Sequence, residues 1–442
     1  MTVDIKRWPT RPLDCWGKAK ELRLNHYQEF LTARDEGKLV VSGSATSFSV
    51  LISGLGDYAF LASEPYSAAV ATEPQFAQAC AETVEAKHYS RDLCAYMRNY
   101  WGSMYLDRYF FGGRFPKFDF CLQAHYCDSH AKWFQVVTEH LDLPYFAIDL
   151  LNGPVDRLED RRDYIAGQLL DAIDWMEKVT GRKWDPDRAR PAIINEFTNM
   201  ALWAEICTLN KNVPAPLDEK SMYTLYVLNT LIRERPETVD FYRELRDEVR
   251  DRVADGVAAV SGERCRILSD SQPPWYFLKV FRYMEQYGAV GVGSGYTFGL
   301  SGSWEQQEDG SLGPAKTPME KGMPLETRED LVRALADWWS VHFSSAPGSM
   351  SILDFHLPSE RNRALIKMVE EWRCQGVVMH LNRGCEGSTY GQMENRLALL
   401  EAGIPVMTYE GNMADKREFD EAQTLDRLES FMESLGLSRL AD

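Results

Sequence analysis

Short apolar runs alternate with amphipathic segments over the first 150 residues of the chain. Residues 38–42 and 143–150 are apolar and bounded by turn-forming residues, which is typical of buried β-strands. Residues 18–33 and 73–86 place apolar side chains at helical spacing, and the first of these segments stops near Gly37. Strands that alternate with helices predict a parallel sheet with helices on both faces.

A third strand of this region gives way to a helix around Cys127. Residues 118–122 alternate like a strand, residues 131–141 have helical periodicity, and either Asp128 or Ser129 could cap the helix. Helix N-termini carry free N–H groups and partial positive charge, which favour a thiolate, and a thiolate is the form that binds metals. The alternative for a lone cysteine is a small, buried apolar residue.

Residues 155–260 contain no strand signal. Their apolar spacing predicts helices over residues 155–180, 185–209, 221–233 and 236–260. The second of these begins at Asp185-Pro186, a capping residue followed by proline at the first helical position.

Strand–helix alternation resumes at residue 264. Strands are predicted over 264–270, 289–293, 376–381 and 404–409, and helices over 274–287, 328–344, 359–375, 390–402 and 416–435. Residues 305–326, rich in Gly, Pro and charge, predict a surface loop. The fold class is therefore α/β: two flavodoxin/Rossmann-like parallel-sheet domains over 1–154 and 263–442, with an intervening helical section over 155–262.

Composition and charge narrow the function classes. The chain has 442 residues, a formal net charge of −17 and no basic stripe, which argues against nucleic-acid binding. We find no export signal at the start and no apolar run long enough to span a membrane, so a cytoplasmic location is expected. The nine cysteines are odd in number and form no Cys-x-x-Cys pair, which favours reduced thiols or metal ligands drawn from distant segments.

Three cysteines occupy positions suited to a shared site. Cys385 lies in the loop 382–389, between a strand and a helix, as Cys127 does, and ligands bind at such corners in α/β sheets. Cys94 lies in a buried helical segment over 90–105 and would supply a third thiolate. Three thiolates fit an iron–sulfur cluster with one open iron. The alternative, three core cysteines, is equally compatible with spacing alone.

The residues around these cysteines resemble a known family. The motifs are the 33-residue spacing of Cys94 and Cys127, Phe-Pro-Lys-Phe-Asp-Phe at 115–120, Ser-His-Ala-Lys-Trp at 129–133 and the Cys385 loop. As an ordered set they resemble the 2-hydroxyglutaryl-CoA dehydratase/benzoyl-CoA reductase family. The segments 91–96 and 112–116 are most similar to the larger core subunit of the ATP-dependent benzoyl-CoA reductases.

The resemblance implies a cofactor, partners and a reaction. Cys94, Cys127 and Cys385 would bind one [4Fe-4S] cluster. The chain would pair with a second, smaller cluster-bearing core subunit, and an ATP-hydrolysing activase fed by ferredoxin would deliver electrons. Benzoyl-CoA or a related aryl-CoA would become a cyclic dienoyl-CoA, a step of anaerobic aromatic degradation. The alternatives are a 2-hydroxyacyl-CoA dehydratase subunit and a non-enzymatic electron-transfer protein. Asn412 and Asp426 depart from the family pattern.

The substrate pocket is expected at the strand ends beside Cys127. Glu64 and His125 are the candidate catalytic groups, because a proton donor must reach the acyl group while water is excluded. His130 and His380 also lie near this cleft. The candidate substrate-binding residues are Ser42, Ser44, Tyr66, Tyr100 and Trp101.

Overall fold

Two four-stranded parallel sheets organise the computed structural model, which describes residues 6–150, 157–342 and 358–440. The strands of the first sheet are β1 (Leu39–Gly43), β2 (Tyr58–Ala62), β3 (Phe120–His125) and β4 (Tyr145–Asp149). Their order is β2-β1-β3-β4, and Val41 of β1 pairs with Phe60 of β2 and Phe120 of β3. All neighbouring strands are parallel, as the alternation of strands and helices predicts.

Helices cover both faces of the first sheet. The N-terminal region contributes α1 (Trp16–Glu29), α2 (Ser63–Ala71), α3 (Pro74–Glu85), α4 (Ala95–Tyr105) and α5 (Asp128–Leu141). Alternate strand residues enter two separate apolar cores, so that Leu61 and Cys121 face one core while Phe60 and Leu122 face the other. The sheet is therefore buried on both sides.

The middle of the chain is helical, as expected, with one break. Its helices are α6 (Leu158–Thr180), α7 (Pro186–Leu209), α8 (Glu219–Leu225), α9 (Leu228–Leu231) and α10 (Pro236–Ala254). The single helix expected over 221–233 is wrong, because the Tyr242 hydroxyl enters the helical ladder. It accepts from the Asn229 N–H at 3.2 Å and donates to the Leu225 carbonyl at 2.8 Å, replacing the direct bond between them.

The second sheet has the order β10-β9-β5-β6. Its strands are β5 (Cys265–Asp270), β6 (Ala289–Ser294), β9 (Gly376–Asn382) and β10 (Val406–Gly411). The helices of this part are α11 (Val280–Tyr283), α12 (Gly295–Ser301), α13 (Arg328–His342), α14 (Pro358–Glu371), α15 (Glu386–Thr389), α16 (Gln392–Glu401) and α17 (Glu421–Ser434). The predicted combination of two parallel-sheet units is confirmed.

Three local predictions for the C-terminal half differ from the structure. The helix expected over 274–287 is a series of short turns around α11, because the backbone here makes bonds that span three residues, such as that from the Phe277 N–H to the Pro274 carbonyl at 2.7 Å. The surface loop expected over 305–326 contains a hairpin of β7 (Trp304–Gln306) and β8 (Leu312–Pro314). The last helix begins at Glu421 and not at Lys416, since the Asp420 side chain caps it.

The helical section does not stand apart from the sheets. Apolar residues of α6, α7 and α13 form one core with the strands of the first sheet, including Ile165, Ile193 and Leu335. Thus α13, which follows β6 in the chain, packs beside the N-terminal sheet. None of the described helices is long and apolar enough to cross a lipid bilayer.

Candidate active site

The C-terminal ends of both sheets open onto one cavity of about 350 Å³. Residues that directly follow strands of the two sheets line it. They are Thr46 after β1, Glu64 after β2, Cys127 after β3, Gln272 after β5, Tyr296 after β6 and Cys385 after β9. This is the edge at which parallel α/β sheets bind their ligands.

Cys94, Cys127 and Cys385 all line this cavity. Their loops lie next to one another. The Ala95 N–H donates to the Gly384 carbonyl at 3.4 Å, and Gly387 lies so close to Cys127 that an added methyl group would be 3.8 Å from the Cys127 Cβ. The sequence-predicted meeting of the three cysteines, which lie up to 291 residues apart, therefore occurs in the folded chain.

Each of the three cysteines directly precedes a helix. Cys94 precedes α4, Cys127 precedes α5 and Cys385 precedes the short α15. The three helix N-termini converge with their partial positive charges near the sulfurs. The Gln272 amide also donates to the Cys385 sulfur at 3.3 Å. Neither Asp128 nor Ser129 caps α5: Cys127 occupies that position, and no side chain caps the helix.

Burial and mutual repulsion oppose ionisation of two of the thiols. Burial, followed by the negative charge of Cys385, raises the pKa of Cys94. Burial and the charge of Cys127 raise the pKa of Cys385. Burial also acts against ionisation of Cys127, but the adjacent His130 ring outweighs it and lowers the Cys127 pKa. Three thiolates in this buried space therefore need further positive charge.

Glu64 and His130 form a buried ion pair on the cavity wall. The His130 Nε2 lies 2.8 Å from a Glu64 carboxylate oxygen, and the other oxygen accepts the Ala45 N–H at 2.9 Å. Burial disfavours both charges. His130 nevertheless lowers the pKa of Glu64, and Cys127 together with Glu64 raises the pKa of His130. The pair thus places a carboxylate and an imidazolium beside Cys127.

Among the residues that the structure describes, ten aromatic side chains line the cavity. They are Tyr27, Tyr96, Phe110, Phe111, Tyr126, Trp133, Tyr223, Tyr226, Trp275 and Tyr296. A wall of this kind suits an apolar or aromatic ligand with few polar groups.

Most of the expected pocket residues lie elsewhere. Of the seven expected pocket residues, only Glu64 lines the cavity. The expectation is wrong for the other six, which do not line it: Ser42, Ser44, Tyr66, Tyr100, Trp101 and His125. Ser42 and Tyr100 use their polar atoms inside the core, where their hydroxyls bond each other at 2.7 Å.

Three more of these residues use their polar atoms for hydrogen bonds within the fold. The Tyr66 hydroxyl bonds the Ser103 hydroxyl at 2.5 Å, and the Trp101 indole donates to the Trp133 carbonyl at 3.1 Å. The Ser44 hydroxyl accepts from the Ala124 N–H at 3.4 Å.

The sequence favours His130 over His125 as the histidine beside Cys127. His125 ends β3, whereas His130 is the third residue of α5, and the side chains of the residue before a helix and of its third residue lie close together. Tyr296 and Trp275 had no comparable signal, because only the packing of the second sheet against the first brings them to the cavity.

Asn412, the residue that departs from the family pattern, supports the Cys385 loop. Its amide oxygen accepts the N–H groups of Ala414 and Asp415 at 3.0 and 3.2 Å, and its amide nitrogen donates to Glu418 at 3.0 Å. A methyl group on Gly384 would lie 2.6 Å from this amide. The asparagine is therefore an integrated part of the loop's packing.

Comparison with known proteins identifies the family. The family model of the 2-hydroxyglutaryl-CoA dehydratase D-component matches residues 64–435. The chain is 25% identical to the alpha subunit of (R)-2-hydroxyisocaproyl-CoA dehydratase of Clostridioides difficile, covering 93% of this chain and 94% of the relative. It is also 25% identical to the alpha subunit of (R)-phenyllactyl-CoA dehydratase of Clostridium sporogenes, over 96% of this chain and 98% of the relative. A benzoyl-CoA reductase subunit of Thauera aromatica is 25% identical over 80% of this chain and 79% of its own length. The chain therefore belongs to the 2-hydroxyglutaryl-CoA dehydratase D-component family, whose relatives include acyl-CoA dehydratase and benzoyl-CoA reductase subunits.

Proposed function

We propose that Cys94, Cys127 and Cys385 hold one [4Fe-4S] cluster that faces an acyl-CoA pocket. The observation that carries this proposal is the convergence of three cysteines, each at the start of a helix, on one aromatic cavity. Their mutual repulsion in a buried site would be relieved by a cationic iron core.

The number of cysteines at the cavity also supports a cluster. Cys94, Cys127 and Cys385 line the same cavity, and three protein sulfurs around one space leave one iron of a [4Fe-4S] cluster without a protein ligand. Cys121, a further cysteine of this region, is buried within the first core and turned away from the cavity.

When bound, such a cluster would supply low-potential electrons and one iron without a protein ligand. The chain's own residues would bind and protect the substrate. The aromatic wall would hold the acyl group and exclude water. The Glu64–His130 pair, with Nε2 and Oε1 2.8 Å apart, would hold a proton beside the acyl group.

Two reactions fit this site. The first is reduction of benzoyl-CoA or a related aryl-CoA to a cyclic dienoyl-CoA, for which the aromatic wall and the similarity to the benzoyl-CoA reductase of Thauera aromatica are the support. The second is dehydration of a (R)-2-hydroxyacyl-CoA. The observation that favours it is similarity over nearly full length to two dehydratase alpha subunits, one of which is named for the aromatic phenyllactyl-CoA.

Both reactions would require partner proteins. Residues 310–317 lack the second glycine of a nucleotide-binding P-loop and follow no buried strand, so ATP hydrolysis is assigned to a separate activase, with ferredoxin as the electron source. The relatives are themselves named as subunits. We assign a second core subunit as the direct partner of this chain.

An apolar stripe on α16 supports this assignment. Three apolar side chains share one exposed face of the helix: Met393 (52% exposed), Leu397 (53%) and Leu400 (42%). Tyr390, just before the helix, is 64% exposed and extends the stripe. The stripe begins five residues after Cys385. A partner docked there would lie beside the proposed cluster loop, and its burial would explain exposed apolar side chains. The net charge of −17 disfavours a second copy of this chain as the occupant.

The test is anaerobic co-expression with the partner subunit and activase, followed by assay of each substrate class. Net consumption of reducing equivalents with benzoyl-CoA supports the reductase reaction. Elimination of water from phenyllactyl-CoA with only catalytic electrons supports the dehydratase reaction. If the complex transforms neither thioester and binds no acyl-CoA, the proposed function is wrong.

A further inference from the structure

Three tyrosines and one tryptophan lie next to one another on the aromatic part of the cavity wall. Trp275 donates its indole N–H to the Tyr96 hydroxyl. Tyr296 packs edge-on against Tyr226, with the ring centroids 5.8 Å apart, and lies within electrostatic reach of Tyr96. All four side chains line the cavity. We call Tyr96, Tyr226 and Tyr296 the phenol chain.

The phenol chain has one more proton than it can use internally. Each hydroxyl has one O–H donor, and three hydroxyls in a row can form at most two hydrogen bonds with one another, so these bonds use at most two of the three protons. The Trp275 indole adds a donor and no acceptor, because an indole cannot accept. Within the described ranges, no further acceptor contacts these hydroxyls. One O–H is therefore left to face the cavity in every arrangement of the chain.

A buried donor without an acceptor is costly, so the phenol chain favours a ligand that brings an acceptor. The Tyr96 end is nearest the cysteines: Tyr96 follows Cys94 by two residues and is within electrostatic reach of Cys385. Its ring is fixed because Trp275 occupies one side of the oxygen. An acceptor placed here would lie between the aromatic wall and the three sulfurs.

We propose that Tyr96 donates a hydrogen bond to the thioester carbonyl oxygen of the bound acyl-CoA. This inference rests on the proposed function, since it requires an acyl thioester in the cavity. A hydrogen bond to this oxygen polarises the carbonyl group and strengthens as negative charge develops on the oxygen. Tyr96 thereby selects carbonyl-bearing acyl groups and orients them, while the Trp275 indole holds its hydroxyl in place.

The experiment compares thioesters with thioethers in the complete complex, anaerobically and without an electron donor. Two pairs serve as probes: benzoyl-CoA with S-benzyl-CoA, and 3-phenylpropanoyl-CoA with S-(3-phenylpropyl)-CoA. Each pair differs only in the carbonyl group. Calorimetry gives the affinity ratio within each pair, and iron content confirms that each variant retains its cluster.

Tyr96→Phe should weaken thioester binding about fivefold to tenfold and leave thioether binding within about twofold. Tyr100→Phe is the matched control, because Tyr100 lies on the same helix but does not line the cavity, and its hydroxyl bonds the Ser42 hydroxyl at 2.7 Å. The control should keep the wild-type ratio. If Tyr96→Phe loses its iron, Trp275→Phe should lower the same ratio a few-fold, because it removes the donor to the Tyr96 oxygen. The part of the cavity wall that this substitution also removes affects both members of a pair and leaves their ratio unchanged.

An unchanged ratio in Tyr96→Phe with its iron intact overturns the inference, as does a wild-type complex without preference for thioesters. An unchanged ratio in Trp275→Phe, where that variant is used, overturns it equally. These results leave the proposed function standing, because acyl-CoA still binds. A wild-type complex that binds neither member of either pair instead overturns the proposed function and this inference with it.

Discussion

Replacement of Asp415 by Asn should destabilise the protein and loosen the helix that begins at Cys94. Asp415 is 5% exposed and lies 2.9 Å from Arg98, which is in the first turns of α4, and 2.7 Å from Arg417. Glu85 bonds both arginines, at 3.4 and 2.6 Å. This ion cluster ties the helix after Cys94 to the C-terminal part of the chain.

The pKa of Asp415 gives the magnitude. Burial acts to raise it, but Arg417 and Arg98 outweigh burial and lower it from 3.8 to about 2. At about 1.36 kcal/mol per pKa unit, this corresponds to roughly 2.4 kcal/mol of stabilisation at neutral pH. Because the folded-state pKa is lowered, the stabilisation is present above pH 4 and is lost as the pH falls towards 2. At pH 3 it should be about half its neutral value.

Urea unfolding followed by tryptophan fluorescence measures this difference at pH 7 and pH 3. Asp415→Asn should lose about 2 to 3 kcal/mol at pH 7 and about half of that at pH 3. Asp240→Asn is the control, because Asp240 is 64% exposed and lies 3.8 Å from Arg243, so its loss should be within about 1 kcal/mol. Equal stability of Asp415→Asn and wild type at pH 7, or an undiminished difference at pH 3, would show that this ion cluster does not stabilise the fold.

Three further predictions concern a buried acid, the cysteine loop and the partner surface. Burial raises the pKa of Glu219 to about 8, so unfolding should become easier as the pH rises from about 4.5 to 8. The thermal midpoint of Glu219→Gln should fall less over this pH range than that of the wild-type protein. Equal slopes of thermal midpoint against pH in the two proteins would contradict the raised pKa of Glu219. Gly384→Ala should displace the Asn412 amide and lower iron retention at least about twofold, whereas Gly17→Ala, with open space around it, should not. Leu397→Glu on α16 should weaken association with the partner subunit at least about tenfold in analytical ultracentrifugation, while Leu24→Glu on α1, 41% exposed, should leave it unchanged.

The elements that position the cysteines could be predicted from the sequence because their signals are local. Buried apolar runs bounded by glycine mark β1 and β9, and the residues just beyond a strand of a parallel sheet reach the ligand-binding edge. This places Cys127 and Cys385 at corresponding corners. The cap of α7 at Asp185 is another local signal, confirmed by its bond to the Asp187 N–H at 2.9 Å.

The misplaced pocket residues depended on side-chain direction, which local signals do not determine. Ser42 lies within β1 and not beyond it, so its hydroxyl faces the helices that cover the sheet. Tyr66 and Tyr100 are aromatic residues near the right loops, yet both pack into the core, where rings gain most from burial. The Tyr242 hydroxyl separates α8 from α9 by bonding Asn229, which lies 13 residues away in the chain. The helical spacing of apolar residues does not indicate such a contact.

A single [4Fe-4S] cluster shared by Cys94, Cys127 and Cys385 is best tested by Mössbauer spectroscopy with iron analysis of the anaerobically purified chain. We expect about four irons per chain in a single cubane-type spectrum for wild type. That spectrum should be lost in each Cys→Ser variant at these three positions and retained in Cys374→Ser, since Cys374 does not line the cavity. Full iron content and an unaltered spectrum in all three variants would contradict the proposed cluster.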